Sequence, residues 1–184
     1  MEALREAVDA PEVSLAPEEP AAAEPAVAEP AVAESAAAPA AAAQPAAKTR
    51  TGRVGVVLVS HSKAVAESVA ALSGALLGSV DPAPLAVAGG TPDGGIGTSA
   101  ELITAAARTV DEGVGVALLC DMGSAVLTVK SLLGEVPSQL PEGTRIVDAP
   151  FLEGAVAITL TSAIGGDIDA VLAAAEDARG YRKR

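Results

Sequence analysis

The segment Arg53-Val-Gly-Val-Val-Leu-Val59, which runs directly into Ser60-His61-Ser62, decides the fold of this chain. Its apolar residues are continuous instead of alternating with polar ones. This pattern is typical of a strand that is buried on both faces of a parallel sheet. Because parallel strands are joined by crossover connections that are usually helical, the segment predicts the first strand of an α/β domain.

Strands and helices alternate along the rest of the chain. Short apolar runs predict strands over 85–88, 114–120 and 145–148. Two helices are predicted as ranges, 98–110, with Thr98 and Glu101 as a capping box, and 124–133. Three more are predicted from apolar residues at helical spacing, which would form their buried faces. These residues are Val65, Val69, Leu72 and Leu76 in the first helix; Val156, Leu160 and Ile164 in the fourth; and Ile168, Val171, Leu172 and Ala175 in the last, which follows a cap at Asp167. This order predicts a doubly wound, mostly parallel sheet of order 2-1-3-4 with helices on both faces, and it is compatible with an added antiparallel edge strand.

The composition changes near residue 50. Residues 1–50 hold 20 Ala, 7 of the 13 Pro and none of the 18 Gly, and they contain the repeat Glu24-Pro-Ala-Val-Ala-Glu29-Pro-Ala-Val-Ala-Glu34. Such a segment buries too little apolar area to offset its chain entropy. We therefore expect a disordered Ala/Pro/Glu-rich tail over 1–50 and one folded domain over 51–184.

The net charge of −12 argues against nucleic acids and anionic membrane surfaces as partners. Residues 1–50 hold 9 acidic and 3 basic residues, and residues 51–184 hold 15 and 9, so neither part has the basic excess that nucleic acid or an anionic membrane attracts. One Cys and one His form neither an intrachain disulfide nor a zinc cage. We find no bilayer-length apolar run and no signal peptide, and we expect a cytoplasmic protein without a metal.

Two polar segments follow neighbouring strands of the predicted sheet. His61 lies after strand 1, and Asp121 lies after strand 3. The crevice between the carboxyl ends of these strands is the expected ligand site of such a fold. A carboxylate that accepts a hydrogen bond from one imidazole nitrogen leaves the other nitrogen free to attack or to bind. His61 and Asp121 are therefore the candidate catalytic residues.

Hydroxyls and glycines surround this predicted site. Ser60, Ser62, Thr98 and Ser124 supply hydroxyl groups, and the turn at Gly123 begins a helix whose N–H groups favour anions. The glycine-rich segment 88–99 is either a second anion cradle or a flexible turn, and it has neither the dinucleotide-binding nor the P-loop spacing.

Two other classes of function remain open. A Ser–His–Asp hydrolase can be drawn from Ser124, His61 and Asp121, although residues 122–126 do not match the G-x-S-x-G nucleophile motif. The second open class of function is a non-catalytic binding or regulatory module that responds to phosphorylation. Cys120 ends a buried strand, and we interpret it as a core residue and not as a nucleophile.

Five segments together resemble the DhaM family, the phosphocarrier subunits of phosphotransferase-system-dependent dihydroxyacetone kinases. They are 59–62, 95–99, 121–125, 149–155 and 165–169, and the similarity extends roughly over 54–181. The resemblance implies a fold like that of mannose-family IIA domains. It also implies that His61 is phosphorylated, that Asp121 hydrogen-bonds it, and that Ser124 lines the phosphoryl site.

The resemblance further implies a set of partners. Phospho-HPr, charged by enzyme I from phosphoenolpyruvate, would donate to His61, and ADP held on DhaL would accept the phosphoryl group. The ATP formed would serve DhaK, which binds dihydroxyacetone. The resemblance implies no bound cofactor. It also implies that the protein forms a homodimer. Because the sequence ends at Arg184, we expect the stand-alone form with separate donors. A mannose-type IIA domain that passes phosphate to a IIB partner is the runner-up, and a shallow apolar rim that includes Met122 is expected in either case.

Overall fold

The computed structural model describes residues 52–78 and 80–182, in which each of four strands is followed by a helix and a fifth helix comes last, as expected. The elements are β1 (Gly55–Ser60), α1 (Lys63–Leu77), β2 (Leu85–Gly89), α2 (Ala100–Thr109), β3 (Val116–Cys120), α3 (Gly123–Gly134), β4 (Arg145–Val147), α4 (Phe151–Ala163) and α5 (Ile168–Gly180). The predicted tail over 1–50 lies outside the described residues, so the tail and its boundary with the folded domain stay predictions. None of the helices in the described ranges is long and apolar enough to cross a bilayer.

The sheet has the predicted order. Its strands run β2-β1-β3-β4, and all neighbouring pairs are parallel. Val59 pairs with Ala88 on one side and with Cys120 on the other, so the carboxyl ends of β1, β2 and β3 lie at the same edge. The predicted α/β class and strand order are confirmed. The antiparallel edge strand that the sequence allowed is not part of the four-stranded sheet formed by the described residues.

The central strand β1 separates two layers of core. Val57 and Val59 pack with buried side chains of α2 and α3 on one face, whereas Val56 and Leu58 pack with α1, α4 and α5 on the other. Every residue of β1 is buried, as the continuous apolar run predicts. Burial of each such aliphatic side chain contributes about 1.5–3 kcal/mol of transfer free energy, so this strand anchors the domain.

The helix starts follow local capping rules, with one correction. Ser62 and Asp167 accept hydrogen bonds from the N–H groups of Val65 and Ala170, which begin α1 and α5. The predicted capping box of Thr98 and Glu101 is wrong. The helix α2 begins one residue later, with Ser99 as its N-cap, because the Thr98 hydroxyl pairs with Thr128 across to α3.

Two predicted helix faces are wrong at most of their positions. On α1 the buried positions are Ala66, Ser73 and Leu77; the predicted Val65, Leu72 and Leu76 are exposed, and only the predicted Val69 packs, partly buried, against the core. On α4 the buried set includes Gly154, Ala155 and Ile158; the predicted Leu160 and Ile164 are exposed, and the predicted Val156 is half-buried. Small residues on the buried side allow a close approach of helix to sheet, and this packing outweighs the hydrophobicity of larger side chains. The face predicted for α5 is confirmed, because Val171 and Ala175 are buried.

Candidate active site

The sheet brings the two polar segments of the sequence analysis together. After β1 the chain turns through His61 and Ser62 into α1, and after β3 it turns through Asp121 and Met122 into α3. The Asp121 N–H donates to the carbonyl of Val59 at 3.0 Å, which extends the β1–β3 ladder by one residue. His61 and Asp121 therefore lie side by side at the carboxyl edge, where parallel α/β sheets place ligand sites.

Both nitrogens of the His61 ring have a partner. The Asp121 Oδ1 atom lies 3.0 Å from Nδ1, and the Ser124 Oγ atom lies 2.9 Å from Nε2. An ionised carboxylate only accepts hydrogen bonds, so Nδ1 carries the proton and Nε2 keeps the lone pair that accepts from the Ser124 hydroxyl. The ring is therefore held in the tautomer in which Nε2 is the nucleophilic atom.

Hydrogen bonds keep Asp121 ionised. Partial burial raises the pKa of its carboxyl, but the backbone N–H of His61, the His61 ring and the Ser60 hydroxyl together lower the pKa below its ordinary value. Oδ2 accepts from the His61 N–H at 2.9 Å and from the Ser60 hydroxyl at 2.8 Å. Because the carboxylate is charged and has two occupied oxygens, it stabilises a positive charge that develops on the imidazole.

The Nε2 side of the ring opens toward the start of α3. Met122 caps this helix without a side-chain hydrogen bond, so the backbone N–H groups of the first turn have no acceptor within the helix. Ser124 is exposed, and a Cβ added at Gly123 would meet no atom within 4 Å. A helix start with unpaired N–H groups, open space and a hydroxyl is suited to a phosphoryl group.

The predicted site residues fall into two groups. His61, Asp121, Gly123 and Ser124 come together around the ring and its Nε2 atom. Ser60 is a correction: its side chain is fully buried behind Asp121, where it hydrogen-bonds the carboxylate and does not face Nε2. Its position next to His61 in the sequence predicts a place near the phosphoryl group, but strand geometry points neighbouring side chains to opposite faces.

Ser62 and Thr98 also use their hydroxyls elsewhere. Ser62 caps α1 through the Val65 N–H, and Thr98 pairs with Thr128 at 3.1 Å. The Thr128 hydroxyl in turn donates to the Ser124 carbonyl at 3.4 Å. Through these contacts both residues hold the turn and the helix start in position, and their hydroxyls do not contact Nε2.

The glycine-rich loop after β2 is hydrogen-bonded to the backbone of His61. The N–H of Gly97, a residue with φ of 151°, donates to the His61 carbonyl at 2.9 Å. Sequence reasoning missed this contact, because it joins two segments far apart in the chain. It also missed Thr128, although the spacing of four residues from Ser124 on a helix could have indicated that they lie on the same face.

Cys120 is not available as a nucleophile. Burial, and secondarily the negative charge of Asp121, raises the pKa of its thiol to about 12, so it stays protonated at neutral pH. It belongs to the core on the α2–α3 side, as expected. Within the described ranges no three His, Cys, Asp or Glu side chains converge as metal ligands would.

Comparison with known proteins agrees with this geometry. Residues 55–172 match the EIIA-man family model, described as "PTS system fructose IIA component". A relative from Listeria innocua, "PEP-dependent dihydroxyacetone kinase 2, phosphoryl donor subunit DhaM", is 33% identical over 119 residues, which cover 65% of this chain and 94% of that protein. The DhaM subunit of Escherichia coli K12 is 36% identical over 121 residues, but the match spans 25% of its length.

A solved structure has a similar fold. The crystal structure of EF1359, a protein of unknown function, superposes with a TM-score of 0.57 at 27% identity and covers 71% of this chain and 99% of that one. The resemblance to DhaM that the five sequence segments indicate is thus confirmed, and the whole carboxyl-edge site, from Ser60 to Ser124, lies inside the family match.

Proposed function

This chain belongs to the EIIA-man family, and on that premise we propose that it is a histidine phosphocarrier of the phosphotransferase system that serves a dihydroxyacetone kinase. The observation that carries the proposal is the His61 ring, with Nδ1 bound to Asp121 and Nε2 directed at Ser124 and the start of α3. The DhaM names of the relatives support the assignment to the kinase system.

The chemistry is a phosphoryl exchange at Nε2. The Nε2 lone pair attacks the phosphorus of the donor phosphohistidine, a P–N bond forms to His61, and the P–N bond of the donor breaks as its neutral imidazole leaves. Nδ1 keeps its proton throughout, and Asp121 balances the positive charge of the phosphorylated ring. The Ser124 hydroxyl turns from Nε2 to a phosphoryl oxygen, and the N–H groups of the first α3 turn bind the others.

The proposed relay starts from phosphoenolpyruvate. Enzyme I and HPr pass the phosphoryl group to His61, and His61 passes it to ADP on DhaL, so that the ATP formed phosphorylates dihydroxyacetone on DhaK. The names of the relatives, which describe a PEP-dependent phosphoryl donor, support both ends of this path. The chain itself contributes no bound cofactor to the relay, and we keep the homodimer as part of the proposal, to be tested by sedimentation.

Exposed aliphatic side chains around the site support protein partners. Ile96 and Met122 are 79% and 52% exposed, and Leu127 is 66% exposed one helical turn after Ser124. Ile96 directly precedes Gly97, whose N–H is bonded to His61. We expect a protein that delivers phosphorus to Nε2 to cover these residues, because burial of exposed apolar side chains stabilises a complex.

Isotope labelling tests the proposal. We expect the wild-type chain, mixed with labelled phosphoenolpyruvate, enzyme I and HPr, to take up label that is labile in acid and stable in base, whereas His61→Ala takes up none. Phosphoramidate is a small phosphoryl donor that needs no docking surface, and it should label the wild-type chain as well. Labelling by phosphoramidate therefore tests the reactivity of His61 separately from the recognition of HPr. Label that persists in His61→Ala contradicts the proposal.

Two alternatives have a specific observation in their favour. The family description names a sugar-system IIA component, which favours transfer to a IIB partner. Transfer of the label from this chain to a IIB protein, and not to ADP in the presence of DhaL, would favour the sugar-system function. The Ser124–His61–Asp121 contacts match a hydrolase triad, and a covalent fluorophosphonate adduct at Ser124 together with ester turnover would favour that function.

A further inference from the structure

Ser60 differs from the hydroxyl residues around it in its burial. It is the last residue of β1, and its side chain is 0% exposed, whereas His61 and Ser62 are both partly exposed. A hydroxyl that is taken out of water must find hydrogen-bond partners inside the protein, or its burial costs free energy. The partners of Ser60 therefore indicate why a polar residue is located there.

Both hydrogen-bonding functions of the Ser60 hydroxyl are used. Its proton is donated to Asp121 Oδ2 at 2.8 Å, and its oxygen accepts from the Ser62 N–H at 3.1 Å. One small side chain thus joins the carboxylate to the turn that carries His61. The second contact also fixes the direction of the hydroxyl, since the accepted N–H occupies one side of the oxygen.

These contacts keep the Asp121 carboxylate from rotating. Three donors converge on its carboxylate: the His61 ring on Oδ1, and the His61 backbone N–H and the Ser60 hydroxyl on Oδ2. A carboxylate bound through both oxygens does not rotate, so Oδ1 stays opposite Nδ1. Of the two donors on Oδ2, only Ser60 is a side chain, and it is the one that sequence variation can remove.

We propose that Ser60 is a positioning residue that clamps Asp121 from behind and thereby holds the His61 ring in the tautomer whose Nε2 is nucleophilic. The inference rests on the proposed function for its rate readout, but its structural readout is independent. At metal sites, residues that orient a ligating histidine are worth about 10- to 100-fold in affinity or activity, and we expect an effect of that order for Ser60.

The single histidine of the chain makes a direct test available. Because no other imidazole is present, the ¹⁵N resonances of His61 can be assigned without ambiguity and report which nitrogen carries the proton. We expect the wild-type ring to be protonated at Nδ1 and Ser60→Ala to give a mixture of tautomers. Labelling by phosphoramidate should slow by about 10- to 100-fold.

The pH profile gives a second readout. The Ser60 hydrogen bond is one of the contacts that lower the pKa of Asp121, so its removal raises that pKa toward the ordinary value. On the acid side, Ser60→Ala should therefore lose labelling rate at a higher pH than the wild-type chain. Ser60→Cys, which keeps a weaker S–H donor at similar volume, should be intermediate and replaces Ser60→Ala if that variant does not fold.

Ser73→Ala is the matched control. Ser73 is also buried, at 2% exposed, and its hydroxyl donates to the Val69 carbonyl within α1, away from the site. It should lose thermal stability without a change in the His61 tautomer. A Ser60→Ala chain that keeps the wild-type tautomer and acid limb overturns the inference. A wild-type chain that takes no label contradicts the proposed function instead, and the tautomer comparison still decides the role of Ser60.

Discussion

The reactivity of the lone imidazole depends on which of its two nitrogens keeps a free lone pair. In His61 the choice is made by Asp121, which occupies Nδ1 at 3.0 Å, and the carboxylate is in turn oriented by Ser60. Ser60 ends β1, and His61 and Asp121 directly follow β1 and β3, which are neighbours in the sheet. Single-residue changes here act on charge and orientation more than on packing, because the side chains concerned are small and polar.

Stability at low pH should report the state of Asp121. The pKa of its carboxyl is lower in the folded chain than in the unfolded chain, so its ionised form stabilises the fold above about pH 4. That contribution is lost as the pH falls through the folded-state pKa. We expect the stability difference between the wild-type chain and Asp121→Asn, measured by urea denaturation, to shrink between pH 6 and the acid range. A difference that stays constant would show that the carboxylate titrates alike in both states.

At the scale of elements, the contact between β2 and the start of α1 holds the His61 turn in place. Gly89 ends β2, and a Cβ added there would lie 2.6 Å from the Cα atom of Lys63 and 2.9 Å from the Ser62 carbonyl oxygen. Backbone atoms cannot move aside as the end of a flexible side chain can. The strand and the helix therefore approach each other closely because glycine occupies this position.

Gly89→Ala should therefore destabilise the fold by about 1–3 kcal/mol, as overpacking commonly does. The matched control is Gly74→Ala near the end of α1, where an added Cβ meets nothing within 4 Å. There we expect stabilisation of about 0.4–1 kcal/mol, since alanine restricts the unfolded chain. Chemical denaturation of both variants measures these effects, and destabilisation of similar size at both positions would contradict the close approach at Gly89.

At the scale of the whole molecule, two core layers enclose the sheet. The layer on the α1–α4–α5 side contains Ile158, which is fully buried, and the next large aliphatic residue of α4, Leu160, is 43% exposed. The sequence alone favours Leu160 as a core residue. The site at the carboxyl edge depends on both layers, because the strands that carry His61 and Asp121 are buried between them.

We expect Ile158→Ala to lower the free energy of unfolding by about 2–5 kcal/mol, since it leaves a cavity in a packed layer. Leu160→Ala on the same helix should cost less than about 1 kcal/mol. Urea denaturation of the two variants gives the comparison. Equal losses would mean that the core layer on the α1–α4–α5 side is not packed as described.

Local patterns were enough to predict the strand order and the pair at the centre of the site. A continuous apolar run such as that of β1 requires burial on both faces whatever surrounds it, and parallel connection then brings the residues after β1 and β3 to one edge. His61 and Asp121 follow from that logic. So does the cap at Asp167, which depends only on residues within the same turn.

The side-chain partners and the helix faces were decided only by the tertiary structure. Ser60 faces Asp121 and Thr98 faces Thr128. The helix α1 buries Ala66 and Ser73, whereas Val65, Leu72 and Leu76 are exposed. Hydrogen bonds between distant segments and the close packing of small side chains depend on distances that no local period encodes. The apolar and polar pattern of the sequence therefore determines at which edge of the sheet the reactive imidazole lies. The packing of strands and helices around it determines which atoms hydrogen-bond the ring and fix its tautomer.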